Sequence, residues 1–307
     1  MIGARAALAL ALVLAGDLAR AAGGLPSVVT TTTDLAALVD AVGGDRVTVT
    51  SLAPPLQDPH GIEVKPVHIV RIRDAALLVR IGLDHEPWLA RALVTAGAAA
   101  PVPGGPRDLD ASRSVSLLQA ETPRLRDDRA RPHLHGFGNP HYWLDPENAR
   151  PITATIVHGL GRLVPDGRAH FEDRRRRFLE RLDAGLARWR AALAPYRGAR
   201  VVAIHDTWPY FAARFGLTVV ATVEPEPGVP PPPAVIGALV ERMRAGGVRV
   251  VIAEPYADAS LVRRLTEATG ARAVTLVPSV GGDRAADDYV ALFDLNVERL
   301  VNALMAR

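Results

Sequence analysis

The sequence has no cysteine and a single lysine, Lys65, among its 307 residues. Without cysteine no disulfide can form, and no lipid can be attached at an N-terminal cysteine, so we expect a soluble mature protein that is not a lipoprotein. The basic charge is almost wholly arginine. Because the formal net charge is only +3 and clusters such as Arg174–Arg177 alternate with acids and leucines, the arginines are typical of a solvated helix face. They do not indicate nucleic-acid binding.

Long apolar segments are also missing, since no stretch approaches the roughly 18 apolar residues of a membrane-spanning helix. The run Ala6–Gly16 is apolar but short, and it follows a weakly basic start. Ala19-Arg20-Ala21 then places small residues at the two positions that a signal peptidase reads. We therefore expect residues 1–21 to be a cleaved signal peptide and the mature protein to be periplasmic; a buried N-terminal helix is the alternative.

The remaining composition is that of an ordered protein, with 49% hydrophobic and 22% charged residues. Short β-branched runs alternate with amphipathic stretches, which predicts an α/β fold with mainly parallel sheets covered by helices on both faces. The predicted strands are 28–33, 47–52, 75–81, 114–118, 200–204, 218–222, 248–253 and 273–277. The predicted helices between and after them are 35–42, 66–74, 87–96, 146–163, 208–215, 233–245, 260–269 and 286–306.

The length of the chain exceeds what one compact core usually organises, so two lobes are expected. From about 166 to 196 apolar residues recur at spacings of three and four, which predicts one helix roughly 40 Å long. We expect an N-terminal lobe at 22–164, a linking helix at 165–197 and a C-terminal lobe at 198–307.

Three of the nine histidines occupy comparable places in this pattern. His60 follows the second predicted strand, His141 precedes a predicted helix, and His205 ends the first predicted strand of the second lobe. Ligands of open α/β sheets bind beyond the carboxyl ends of the strands. Imidazole is a common zinc ligand, and three histidines with one further group complete a tetrahedron. The pattern predicts a metal site in the cleft between the lobes, where lobe separation would release the ion.

Three blocks of sequence resemble the zinc- and manganese-binding solute receptors of ABC-type metal importers. The blocks are Asp58-Pro59-His60, Pro140-His141-Tyr142-Trp143-Leu144-Asp145-Pro146-Glu147-Asn148 and His205-Asp206-Thr207-Trp208-Pro209-Tyr210-Phe211. The resemblance implies two pseudo-symmetric lobes, a rigid connecting helix, and His60, His141 and His205 as metal ligands. It also implies a monomeric receptor whose partner is the permease in the inner membrane. A histidine at the third position resembles the zinc-type members, and imidazole ligands favour Zn²⁺ over Mn²⁺.

The fourth ligand is where the sequence departs from this family. Members commonly supply a carboxylate in a Leu-Asp-Pro near the final strand, whereas this chain has Leu276-Val277-Pro278. We expect Glu254, at the end of the strand 248–253, to replace it, because a 2-1-3-4 strand order would place it beside His205. The alternatives are a water molecule, Asp58, Asp206 or Glu224.

The other histidines are expected to have ordinary roles. His68, His85, His158 and His170 are interpreted as satisfied core or surface residues. His133 and His135 lie in a stretch where the family often carries a histidine-rich loop that gathers metal. With only two histidines present, a plain surface loop is the favoured interpretation.

The sequence therefore predicts a periplasmic receptor that captures Zn(II) and delivers it to an ABC permease. Two other functions stay open: a manganese receptor of the same type, and a hydrolase or lyase with zinc on three histidines. No His-Glu-x-x-His segment and no clear general base support the enzyme. Binding through neutral imidazole should weaken as the pH falls through about 6.5.

Overall fold

A computed structural model describes residues 24–119, 138–224, 229 and 231–305. The predicted signal peptide, as well as His133 and His135, lies outside these ranges. No helix within them is both long and apolar enough to cross a bilayer.

The first lobe is a parallel sheet with the strand order β2-β1-β3-β4. Its strands are β1 (Ser27–Thr30), β2 (Thr48–Ser51), β3 (Leu77–Arg80) and β4 (Asp108–Asp110). Its helices are α1 (Thr33–Gly43), α2 (Pro66–Asp74), α3 (Pro87–Ala96) and α4 (Ala149–Leu163). Successive residues of β1 face opposite sides of the sheet, as a strand requires. Val28 and Val29 accordingly belong to two different core clusters, so both faces of the sheet are covered.

The second lobe repeats this arrangement with the order β6-β5-β7-β8. Its strands are β5 (Arg200–Ala203), β6 (Thr218–Thr222), β7 (Val250–Ala253) and β8 (Arg272–Thr275). Its helices are α6 (Pro209–Phe215), α7 (Pro233–Ala245), α8 (Ala259–Thr269) and α9 (Tyr289–Met305). Both sheets thus have the order 2-1-3-4, and the prediction of two similar lobes with parallel sheets is confirmed.

A long helix, α5 (Arg168–Leu193), lies between the two lobes. Its 26 residues correspond to about 39 Å. It packs against α1 and α4 of the first lobe and against α9 of the second. Its buried apolar side chains belong to one core cluster that includes residues of both sheets, for example Val28 and Val201. The predicted long helix between the lobes is confirmed, and it joins them through a shared core.

The fourth strand of the first lobe is not where the sequence predicted it. We expected a strand near 114–118, but β4 is Asp108–Asp110, and a short helical turn follows it at Ala111–Ser114. Arg80 on β3 explains the difference, because its guanidinium binds both carboxylate oxygens of Asp108, at 2.9 and 3.1 Å, and also Asp110. Aspartate has a low propensity for strands, so the sequence of β4 does not look like one. The ion pairs with Arg80 hold these two aspartates beside β3 at the edge of the sheet.

A buried carboxylate, that of Asp34 in the first turn of α1, connects the first lobe to the second. Its Oδ1 accepts a hydrogen bond from the backbone N–H of Val280 at 3.0 Å. Burial raises the pKa of Asp34 to about 7, although hydrogen bonds from Val280 and Ser279 oppose the shift. This carboxyl therefore changes its charge near neutral pH at a contact between the lobes.

Asp34→Asn should remove the pH dependence of this contact. Because the folded-state pKa lies above the unfolded value, the carboxyl stabilises the fold below about pH 4, and this contribution is lost as the pH rises through about 7. The free energy of unfolding of the variant, compared with that of wild type, should therefore rise by about 2 kcal/mol when the pH is raised from about 5 to about 8. Urea denaturation at the two pH values measures this. The exposed Asp287→Asn is the matched control, and equal pH dependence in Asp34→Asn and wild type would contradict the prediction.

Candidate metal centre

His60 lies in a short helical turn, Pro59–Gly61, in the connection that follows β2. The carboxylate of Asp58 accepts the backbone N–H of His60 at 2.9 Å, and the indole N–H of Trp88 donates to the carbonyl of Pro59 at 2.8 Å. The ring Nδ1 of His60 is 3.0 Å from the carbonyl oxygen of His85. A carbonyl only accepts, so this bond places the proton of neutral His60 on Nδ1 and leaves its Nε2 as a ligand atom.

His141 is oriented by its neighbour Asn139. The side-chain Oδ1 of Asn139 accepts the backbone N–H of His141 at 2.9 Å and is 3.1 Å from its ring Nδ1. The amide nitrogen of Asn139 donates to the carbonyl and the carboxylate of Asp206, at 2.9 and 3.1 Å. These acceptors fix the direction of the amide, so Oδ1 faces the imidazole and the proton of neutral His141 is on Nδ1. Asn139 thereby links His141 to the residue that follows His205.

The Nε2 atoms of these two histidines face each other. The Nε2 atoms of His60 and His141 are 3.2 Å apart. Zinc–nitrogen bonds of about 2.0–2.1 Å in a tetrahedron place two ligand nitrogens about 3.3 Å apart. With both Nδ1 atoms donating, two lone pairs meet at the distance that one zinc ion would impose.

His205 approaches the pair from the second lobe, directly after β5. Its ring centroid is 5.4 Å from those of His60 and His141. Its Nδ1 is 3.5 Å from a carboxylate oxygen of Glu224. Its buried Nε2 has no hydrogen-bond partner among the described residues. Burial lowers the pKa of His205, but the carboxylates, those of Glu224, Glu254 and Asp58, outweigh this and raise it.

A fourth imidazole, that of His85, joins the cluster, although its sequence interpretation was a satisfied core or surface histidine. His60, His85 and His141 each offer a ligand nitrogen, and these atoms all lie within 4.8 Å of one another. The signal was present in the sequence, because His85 follows the predicted third strand and the rule for the carboxyl ends of strands applies to it as well. Reasoning by family blocks left it out.

Glu254, the predicted carboxylate ligand, follows β7 and is buried beside His205. Its Oε1 accepts the indole N–H of Trp208 at 2.8 Å, and its Oε2 has no hydrogen-bond partner among the described residues. Burial raises the pKa of Glu254, and the neighbouring His205 opposes the shift. Like His205, it lies outside the set of donor atoms that are all within 4.8 Å of one another. Its role as a ligand stays a prediction.

Two lobes with parallel sheets, one long helix between them, and imidazoles that converge from both lobes define a metal-binding solute receptor. Residues 28–303 match the family model described as zinc-uptake complex component A, periplasmic, and the chain belongs to this family.

The similar proteins agree with this membership. The high-affinity zinc uptake system protein ZnuA of Brucella abortus is 31% identical over 138 residues, which are 45% of this chain and 41% of that protein, so the match spans less than half of the relative. ZnuA of Yersinia pestis is 27% identical over 305 residues, covering 91% of this chain and 90% of that protein. A crystal structure of ZnuA has a TM-score of 0.76 at 25% identity, covering 91% of this chain and 99% of that chain.

Asn139→Ala should weaken zinc binding although it removes no ligand. The substitution frees the ring of His141 and breaks the link to Asp206, so the ligand loses its fixed direction. Loss of such a partner typically costs about 10- to 100-fold in metal affinity. Competition with a chromophoric chelator measures the change, and the exposed Asn302→Ala is the control. Equal affinity in Asn139→Ala and wild type would show that the amide does not orient His141.

Proposed function

We propose that this protein captures Zn²⁺ and presents it to the permease of an ABC-type importer, with His60, His141 and His205 as ligands. The observation that carries the proposal is the pair of Nε2 atoms 3.2 Å apart, each with its Nδ1 on an oxygen acceptor. A transport receptor needs binding and release without chemistry. Ligands drawn from two lobes serve this, because any opening between the lobes separates His205 from the other two.

The neighbouring carboxylates support a cation as cargo. Glu224 faces Nδ1 of His205. Glu254 is close enough to His205 to raise the pKa of that histidine against the effect of burial. A carboxylate behind a metal-bound histidine fixes the ring and raises its basicity. In this proposal Glu254 balances the charge of the bound ion without touching it. The alternative is direct ligation by Glu254, and the ligand experiments below distinguish the two.

The cellular setting is proposed on the family and the sequence together. The relatives named above are zinc uptake proteins, and the N-terminal segment 1–21 has the pattern of a cleaved signal peptide. We place the mature chain in the periplasm as a monomer that docks on the outer face of a permease. The division into lobes 22–164 and 198–307, with 165–197 between them, belongs to the same proposal.

Substituting the proposed ligands one at a time should abolish tight zinc binding. His60→Ala, His141→Ala and His205→Ala should each lower the affinity by about 100-fold or more, since ligand loss exceeds the 10- to 100-fold effect of an outer partner. Isothermal titration with zinc measures this. His158→Ala, an exposed histidine on α4, should bind one zinc like wild type. Unchanged affinity in all three ligand variants would refute the proposal.

Zinc affinity should fall as the solution is acidified, because protons compete for the same imidazole nitrogens. The pKa of His205 is raised, so the loss should begin above the ordinary histidine value of about 6.5. Titrations at about pH 8, 7, 6 and 5 measure the trend. Undiminished affinity at about pH 5 would contradict ligation by histidine.

The competing zinc-enzyme function makes a different prediction. A catalytic zinc on three histidines would hold a reactive water in its fourth position. We expect the protein to bind one equivalent of zinc. The zinc-loaded protein should catalyse neither the hydrolysis of esters nor the hydration of CO₂. Zinc-dependent turnover that is lost in His141→Ala would favour the enzyme.

A further inference from the structure

We propose that His85 supplies a fourth imidazole to the bound ion, in place of the carboxylate expected from the family, and that it sets the preference for zinc over manganese. This inference rests on the proposed function, because it concerns the same ion. The fourth ligand then comes from the first lobe, on the loop after β3.

The position of His85 fits a ligand. Its side chain is fully buried, with its ring centroid 4.4 Å from that of His60 and 5.5 Å from that of His141. The ring of Trp143 packs edge-on against it at 5.1 Å and 88°. Its ligand nitrogen lies within 4.8 Å of those of His60 and His141, and binding would have to bring it to the roughly 3.3 Å edge of a zinc tetrahedron.

The turn that carries His85 is strained. Gly82, Leu83 and Asp84 have φ values of 79°, 56° and 58°. For Leu83 and Asp84 this left-handed conformation is unfavourable, because the side chain crowds the neighbouring backbone. Such strain persists only where the surroundings enforce it, and it clusters at functional sites. Here it is stored directly before a buried histidine.

The carboxylate of Glu86 holds this turn in place. Its two oxygens accept the backbone N–H groups of Ile81 at 2.7 Å and Gly82 at 3.1 Å, and the hydroxyl of Thr31 donates to it as well. Glu86, in the loop after β3, and Thr31, directly after β1, thus fix the same turn. These hydrogen bonds fix the backbone directly before His85, whose ring lies beside those of His60 and His141.

The nearby carboxylates have other partners. Asp58 caps the turn of His60, Glu224 faces Nδ1 of His205, and one oxygen of Glu254 accepts the indole N–H of Trp208. At the position where the family carries an acid, Val277 is buried, and its backbone is bound on both sides by the side chain of Asn296. The second oxygen of Glu254 has no hydrogen-bond partner among the described residues, but Glu254 lies outside the donor set that His85 forms with His60 and His141. The geometry therefore favours the imidazole of His85 as the fourth donor.

Four neutral nitrogen donors have a chemical consequence. Zinc accepts a tetrahedron of imidazoles, whereas Mn²⁺ favours carboxylate and water oxygens. Replacing the family's carboxylate by His85 removes one oxygen and one negative charge from the ligand set. The site should therefore discriminate against manganese more strongly than a site of three histidines and one carboxylate.

Zinc K-edge X-ray absorption of the wild-type protein loaded with one equivalent of zinc tests the ligand set without any substitution. We expect multiple-scattering features of four imidazoles. Three imidazoles with one or more oxygens at about 2.0 Å would overturn the proposal, whether the oxygen belongs to Glu254 or to water. A wild-type protein that takes up no zinc would refute the proposed function instead.

Two substitutions test the same inference by affinity. His85→Ala keeps the backbone carbonyl that orients His60, so only the imidazole is lost; its zinc affinity should fall at least about tenfold, with one imidazole fewer in the absorption spectrum. His85→Asp restores a carboxylate and should raise the ratio of manganese to zinc affinity. His158→Ala is the control for both.

The outcomes separate the two proposals. If His85→Ala matches wild type in zinc affinity and imidazole count while His60→Ala loses zinc, His85 is not a ligand and the proposed function stands. If His85→Asp leaves the manganese-to-zinc ratio unchanged, His85 does not set the preference. Circular dichroism of each variant confirms that the comparison is made on folded protein.

Discussion

The close approach of two imidazoles, those of His60 and His141, is the interaction on which the rest of the site depends. Their Nε2 atoms are 3.2 Å apart, and each Nδ1 is held by an oxygen acceptor. Two lone pairs at this distance repel each other unless a cation or a proton lies between them. The hydrogen bond from Trp88 to Pro59 and the amide of Asn139 hold the rings together against that repulsion. The protein therefore maintains in advance a geometry that a metal ion makes favourable.

A short series of polar contacts holds the second lobe to the segment of the first lobe that carries His141. The hydroxyl of Tyr210 donates to the carbonyl of Asn139 at 2.8 Å, and the guanidinium of Arg214 binds both oxygens of Asp145 at 2.6 and 2.7 Å. Together with the bond from Asn139 to Asp206, these contacts place His205 in a defined relation to its partners. Binding, orientation and the junction of the lobes thus share the same few residues.

The strengths and failures of prediction from sequence have physical reasons. Periodicity in the sequence predicted the helices at Pro66–Asp74 and Pro87–Ala96 with the bounds that the structure has, because proline at the first position and a buried stripe mark them locally. The strand β4 was misplaced, since its stability comes from Arg80, which is distant in sequence. His85 was missed although it follows the predicted strand 75–81, because its contact with the loop after β2 depends on residues distant in sequence.

The sequence by itself determined the alternation of strands and helices and the candidate ligands His60, His141 and His205, because these follow from local pattern and from the polarity of parallel sheets. Only the tertiary structure decided which ring nitrogen of His60 and of His141 meets an oxygen acceptor, which carboxylates are engaged by other groups, and that His85 stands in the cluster. Those properties depend on hydrogen bonds and distances between residues far apart in the chain, and a linear pattern does not contain them.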